Sequence, residues 1–194
     1  MNQPCRLSNV TNAYLSEFDR ILADMIKAMT TPEQTNSISQ DFIVRMIPHH
    51  RAAIEMSENL LRYTTCLPLQ DIAMRIVEEQ TRSIEAMQRV QPICACCENE
   101  QQALCAYRDR VDRIEQVMFS GMEHAHRTNC IECNFMAEMI PHHRGAVKMS
   151  ENALRFCICS ELLPILNSII RSQRRGIMQM QHLSRCMACA GHRG

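Results

Sequence analysis

The hexapeptide Met46-Ile-Pro-His-His-Arg51 recurs unchanged as Met139-Ile-Pro-His-His-Arg144, 93 residues further along a chain of 194. An offset close to half the length makes the chain an internal duplication, so any fold must be built from two like units. Between 41–62 and 134–155, 14 of 22 positions are identical without a gap. The same offset pairs Tyr14 with Tyr107, Met25 with Met118, Cys66 with Cys159, Gln80 with Gln173 and Cys96 with Cys189.

The units read as helical. Few Gly and few β-branched runs accompany an apolar fraction made of Met (15), Cys (12), Leu, Ile and Ala, and no segment reads as a strand. In the first unit, Tyr14, Phe18, Ile21, Met25 and Met29 recur at three- and four-residue spacing, which predicts a helix near 12–30. A second helix starts near Ser39 or Asp41 and runs to about 63. A third follows the turn ending at Pro68 and carries Leu69, Ile72, Ile76, Ile84 and Met87 on one stripe. The counterparts fall near 105–126, 130–156 and 161–184. The expected fold class is therefore all-α, with three helices per repeat. The repeats span 1–93 and 105–194 and are joined by a cysteine-rich linker over 94–104.

Charge excludes some functions. Lys plus Arg equals Asp plus Glu at 21 each, so no net field draws nucleic acid or an anionic membrane, and with no Trp and few aromatics there is no base-stacking platform. The N-terminus shows no apolar signal region and no stretch has the length of a membrane span, so the expected compartment is the cytoplasm. There, cysteines serve as thiols or metal ligands rather than as disulfides.

On the second helix, Phe42, Met46, His49, Ala53, Met56 and Leu60 share one face with His50 beside it, and Arg51, Glu55, Glu58 and Arg62 fall opposite. The His pair therefore looks inward among methionines. Pro48 and Pro141 sit inside their helices, each removing one backbone bond. Antiparallel neighbours bring Met25, Met29 and Met87 to the level of Met46, and Gln80 to the level of the His pair. The second repeat gathers Met118, Met122, Met139, His142, His143, Met149, Gln173 and Met180 in the same way. Buried methionine commonly just fills a core. Two adjacent imidazoles beside thioethers, twice over and with an amide opposite, instead suit a soft metal, Cu(I) above harder ions. The glutamates flanking the His pair point outward and no Glu-x-x-His includes either His pair, which argues against a di-iron enzyme.

The pattern Phe42-x-x-x-Met46-Ile47-Pro48-His49-His50-x-x-Ala53-Ile54-x-Met56, followed by Gln80-x-x-x-Ile84-x-x-Met87, resembles domain-of-unknown-function family 305. The second copy matches through Phe135, Met139, Ile140, Pro141, His142, His143, Ala146, Val147, Met149, Gln173, Ile177 and Met180. The resemblance covers most of both halves and implies ferritin-like helical bundles linked to copper binding and copper resistance. The chain departs from the family in lacking an export signal, in its dense cysteine, in Ser83 and Gly176 where the family has an acidic residue, and in Val90 where it has tryptophan.

The cysteines add a second donor set: Cys94, Cys96 and Cys97; Cys130 and Cys133; Cys157 and Cys159; Cys186 and Cys189. The two C-x-x-C pairs have metal-ligand spacing, and if Asn129 caps the fifth helix, Cys130 and Cys133 lie in its first turn. Helix directions bring Cys186 and Cys189 toward them as a four-sulfur site. Antiparallel packing of the repeats would gather Cys94, Cys96, Cys97, Cys105, Cys157 and Cys159 in one patch. The expected function is non-enzymatic copper buffering, storage or detoxification, with two equivalent, independent Met/His clusters and a copper-exchange protein as partner. The alternatives are a structural Zn(II) scaffold or regulatory module, a thiol oxidoreductase, and a di-iron enzyme.

Overall fold

A computed structural model describes the backbone of residues 6–191 and side chains through 188. Six helices appear among them: α1 Asn9–Thr30, α2 Ile38–Leu61, α3 Leu67–Cys94, α4 Gln101–Glu123, α5 Ile131–Ala153 and α6 Leu163–Gly191. No strand occurs among the described residues. The chain is an internally duplicated all-α bundle.

Local chemistry sets the helix ends. The Ser8 hydroxyl accepts from the Thr11 N–H at 3.1 Å and the Ser37 hydroxyl from the Gln40 N–H at 3.3 Å, each satisfying a donor with no intrahelical partner. Pro68 sits at the start of α3, where its missing N–H costs nothing. α5 begins one residue later than an Asn129 cap requires: Cys130 is the cap, and its sulfur accepts from the Cys133 N–H at 3.2 Å. α2 and α5 run unbroken through Pro48 and Pro141, so neither proline starts a helix. α3 likewise continues through Pro92 to Cys94, which leaves only residues 95–100 to connect the repeats.

α2 and α5 lie at the centre and pack on each other. α1 and α3 flank α2, α4 and α6 flank α5, and α3 packs against α6. The repeats are related by an approximate two-fold axis, visible in paired contacts. The Asn59 amide donates to Tyr14 O and the Asn152 amide to Tyr107 O, both at 3.1 Å. Tyr14 meets Tyr63 edge-on and Tyr107 meets Phe156 in the same way. α2 and α5 run antiparallel: Thr64 past the end of α2 donates to Glu132 at the start of α5, and Cys159 N past the end of α5 donates to Ser39 at the start of α2. The antiparallel arrangement, expected because sequential elements stay adjacent in space, is the one found.

Buried charge departs from the expectation of outward-facing carboxylates. Asp41, Glu115 and Glu138 are all buried. Arg108 pairs with Asp41 and Arg45 with Glu115, both at 2.9 Å, and both pairs cross from one repeat to the other. Glu138 accepts from the Tyr14 hydroxyl at 3.0 Å. Arg45 and Glu138 stand one turn before His49 and His142, so the helical period itself turns them inward. The two repeats differ there in charge, and the core accommodates both because each charge meets a partner from the other repeat.

Candidate metal centre

The four histidines form the middle of the molecule. His49, His50, His142 and His143 are at most 2% exposed. His49 and His142 stack across the two-fold axis, with ring centroids 3.7 Å apart, and each lies 5.8 Å from its sequence neighbour. His49 Nε2 lies 3.2 Å from His142 O, and His142 Nε2 lies 3.1 Å from His49 O. A carbonyl can only accept, so each Nε2 carries the proton and each Nδ1 is left with a lone pair. Neither Nδ1 has a partner, and the same holds for Nδ1 of His50 and His143.

Burial holds the four rings neutral. The His50 pKa is pushed down to about 3 by burial and then by His142, and that of His142 to about 4 by burial. Burial and neighbouring imidazoles also put His49 and His143 well below the ordinary range. Neutral imidazoles with unanswered lone pairs can act as metal ligands without first losing a proton.

The independence of two separate clusters does not survive the fold. The offset that makes the repeats equivalent also places His49 on His142, because antiparallel α2 and α5 cross at that level. Gln80 and Gln173 are buried beside the histidines and are likewise shared. Both line a cleft of 510 Å³ between α3 and α6 that opens on His50, and both line a smaller one that opens on His143. Both amide atoms of Gln80 and the Oε1 of Gln173 lack partners. His50 Nε2 lies 3.0 Å from the Ser83 hydroxyl, whereas the counterpart of Ser83 is Gly176, where a Cβ would come within 2.9 Å of the His143 ring.

Met25, Met29, Met46, Met56, Met87, Met118, Met122, Met139, Met149 and Met180 are all buried in the same core. Met118 presses its sulfur onto Gly145, leaving no room for a Cβ there. Among the described residues, no three His, Cys, Asp or Glu side chains are grouped to hold a metal ion. Any donor set at the centre therefore draws on amide or thioether as well as imidazole.

The thiols divide. Cys94 and Cys159 are buried, and Cys97 is half-buried facing Cys159. Burial and the Cys159 thiol push Cys94 up to about 12, and the Cys159 thiol lies 2.9 Å from Glu161 Oε2. The Asn99 amide ties this corner together, accepting from Ile38 N at 2.9 Å and donating to Cys157 O at 2.6 Å. Of the six cysteines expected to converge, Cys94, Cys97 and Cys159 do so. Cys96 turns back toward Pro92 O, Cys105 contacts Gln101, and Cys157 is exposed. The reason is the turn just past the end of α3, in which the Cys97 N–H donates to Cys94 O at 3.2 Å and returns Cys97 to the side of Cys94, while the Cys96 thiol turns away to Pro92 O.

The four-sulfur site is not formed as expected. Cys130 and Cys133 are joined to each other in a disulfide, and Cys186 is exposed with His182 as its contact. The side chain of Cys189 lies outside the described residues.

Fold and centre define a duplicated all-α bundle whose two halves share one buried histidine cluster. The family model described as Domain of unknown function (DUF305) matches residues 21–91 and 110–184, and the chain belongs to that family, with the domain in tandem. No curated protein and no solved structure matches the chain.

Proposed function

We propose that the protein binds soft metal, Cu(I), through its central histidines and serves copper buffering, storage or detoxification rather than catalysis. The observation that carries this reading is the stacked His49–His142 pair, with both Nε2–H groups fixed on carbonyls and both Nδ1 lone pairs buried without a donor. A buried acceptor left unanswered costs about 1–3 kcal/mol, a loss that a bound ion would recover. The donor types support a soft ion. Neutral imidazole and thioether suit Cu(I), whereas Asp41, Glu115 and Glu138, the buried carboxylates a harder ion would use, are bound to Arg108, Arg45 and Tyr14. When bound, the metal would act as cargo. The chain's own residues hold the imidazoles uncharged, fix their tautomer and exclude water, and Gln80 and Gln173 supply an amide edge toward the α3/α6 cleft.

The test is metal analysis of protein purified under reducing conditions, followed by anaerobic Cu(I) titration against a chromophoric chelator. Copper should be retained, and His142→Asn should weaken binding at both His pairs because they share one centre. Zinc or iron in place of copper, or undiminished copper binding in a folded His49→Asn/His142→Asn variant, would reject the histidine site. A second reading, thiol–disulfide exchange, is favoured by the Cys130–Cys133 disulfide in the first turn of α5, where Cys133 is exposed. Insulin reduction that depends on Cys133 would support it.

A further inference from the structure

The two clefts beside the histidines are images of one another that have diverged. Each residue lining the small cleft at His143 has its counterpart, 93 positions away, lining the large cleft at His50. A faithful duplication would therefore open two equal mouths on the centre. The volumes are instead 510 Å³ at His50 and about 10 Å³ at His143, and the second has room for about one water.

Substitutions between the repeats account for the difference. At the small cleft, Glu79 of α3 reaches across to Arg175 of α6 at 2.6 Å, and Arg75 and Gln179 line the same opening. At the large one, Arg82 stands where Arg175 does, but the counterpart of Glu79 is Ser172, whose hydroxyl donates to Ile169 O of its own helix at 3.0 Å. Arg82 pairs with Glu78, one turn back on α3, instead of bridging to α6. Ser168 and Ala86 take the places of Arg75 and Gln179. Three long polar side chains are thus shortened on one side only. Gln80 and Gln173 stand in the walls of both clefts, 2% and 3% exposed, with Oε1 and Nε2 of Gln80 and Oε1 of Gln173 unpartnered.

We infer that the cleft at His50 is the mouth through which the cargo ion enters and leaves the histidine centre, held open by Ser172, and that the Glu79–Arg175 pair closes its image at His143. This loading role rests on the copper-binding reading proposed above. An opening with room for about one water excludes an ion that carries its own hydration or a small ligand, whereas the large cleft accommodates either. Ser83, in the wall of the open cleft, lies 3.0 Å from His50 Nε2, so His50 is the first imidazole an entering ion meets. The unpartnered amide atoms of Gln80 and Gln173 line the way in and can take over contacts that the ion gives up with water. At the closed cleft the backbone of Gly176 stands directly against the His143 ring, with no hydroxyl beside it.

Two variants exchange the linings. Ser172→Glu/Ala86→Gln gives the open cleft the residues of the closed one, and Glu79→Ser/Gln179→Ala does the reverse; each set already folds in the other repeat. The full chain, loaded with Cu(I), is mixed anaerobically with excess chromophoric chelator, and colour development gives the release rate. The first variant should slow release by about tenfold and the second should speed it, both with unchanged equilibrium affinity, because a route alters the barrier and not the bound state. In the copper-free chain, diethyl pyrocarbonate should modify His50 before His143, read by tandem mass spectrometry, and the second variant should bring His143 forward. Release rates equal to wild type in both variants, or equally fast labelling of His50 and His143 in the wild-type chain, would overturn the loading role and leave copper binding standing. Absence of copper binding would instead overturn the metal reading, and the loading role with it.

Discussion

Replacing Glu138 with Gln should stabilise the protein at neutral and mildly alkaline pH and leave it unchanged near pH 4.5. Glu138 is buried against Tyr14, and desolvation pushes its pKa up to about 8 from the ordinary 4.5. At pH 7 the folded chain holds a proton that the unfolded chain has released. At about 1.36 kcal/mol per unit, the 2.5 units between 4.5 and pH 7 cost the native state about 3 kcal/mol. The sign follows from the raised value: stability contributed by the protonated acid is complete below pH 4.5 and is lost as pH rises toward 8. Gln keeps an acceptor for the Tyr14 hydroxyl and cannot ionise, so this loss disappears. The buried histidines act in the opposite direction. Their folded values are depressed, with His50 at about 3 and His142 at about 4, so acid destabilises the fold as pH falls below about 6.5, where the unfolded rings take up protons. Wild-type stability should therefore peak between these two limbs, and Glu138→Gln should flatten only the alkaline one. Urea denaturation followed by circular dichroism at pH 4.5, 6.5 and 8 measures both. Parallel curves for the two proteins from pH 5.5 to 8.5 would show that Glu138 ionises freely and would refute the reasoning.

Gly145→Ala should destabilise the bundle by about 1–3 kcal/mol in urea melts despite the better helix propensity of Ala, because the new methyl overlaps the Met118 sulfur. Met118→Ala in the same chain should restore part of that loss by opening the contact. In the reduced protein at pH 8, iodoacetamide should modify the exposed Cys96, Cys105, Cys157 and Cys186 before Cys94, whose burial and raised pKa withhold the thiolate. Peptide mapping by mass spectrometry gives the order, and early labelling of Cys94 would contradict its placement.

The periodicity of apolar residues was enough to read six helices, their approximate bounds and the inward face of His49, His50, His142 and His143, because a helix enforces its 3.6-residue period wherever the chain is folded. The 93-residue offset likewise disclosed two like units. Neither could disclose that the units meet at the histidines. That depends on how α2 crosses α5, and the crossing rests on long-range pairs such as Thr64 with Glu132 and Cys159 with Ser39, which leave no local pattern. The inward position of Glu138 was legible in principle, one turn before His142. Its partner Tyr14 lies 124 residues away, and only packing could show that the carboxyl was spoken for. The thiols make the same division. Spacing suggested metal-ligand pairs at Cys130–Cys133 and Cys186–Cys189, whereas the turn past the end of α3 and the corner tied by Asn99 decided that Cys94, Cys97 and Cys159 are the ones that meet. Local sequence fixes which way a side chain turns on its own helix; which residue it then faces is a property of the assembled bundle.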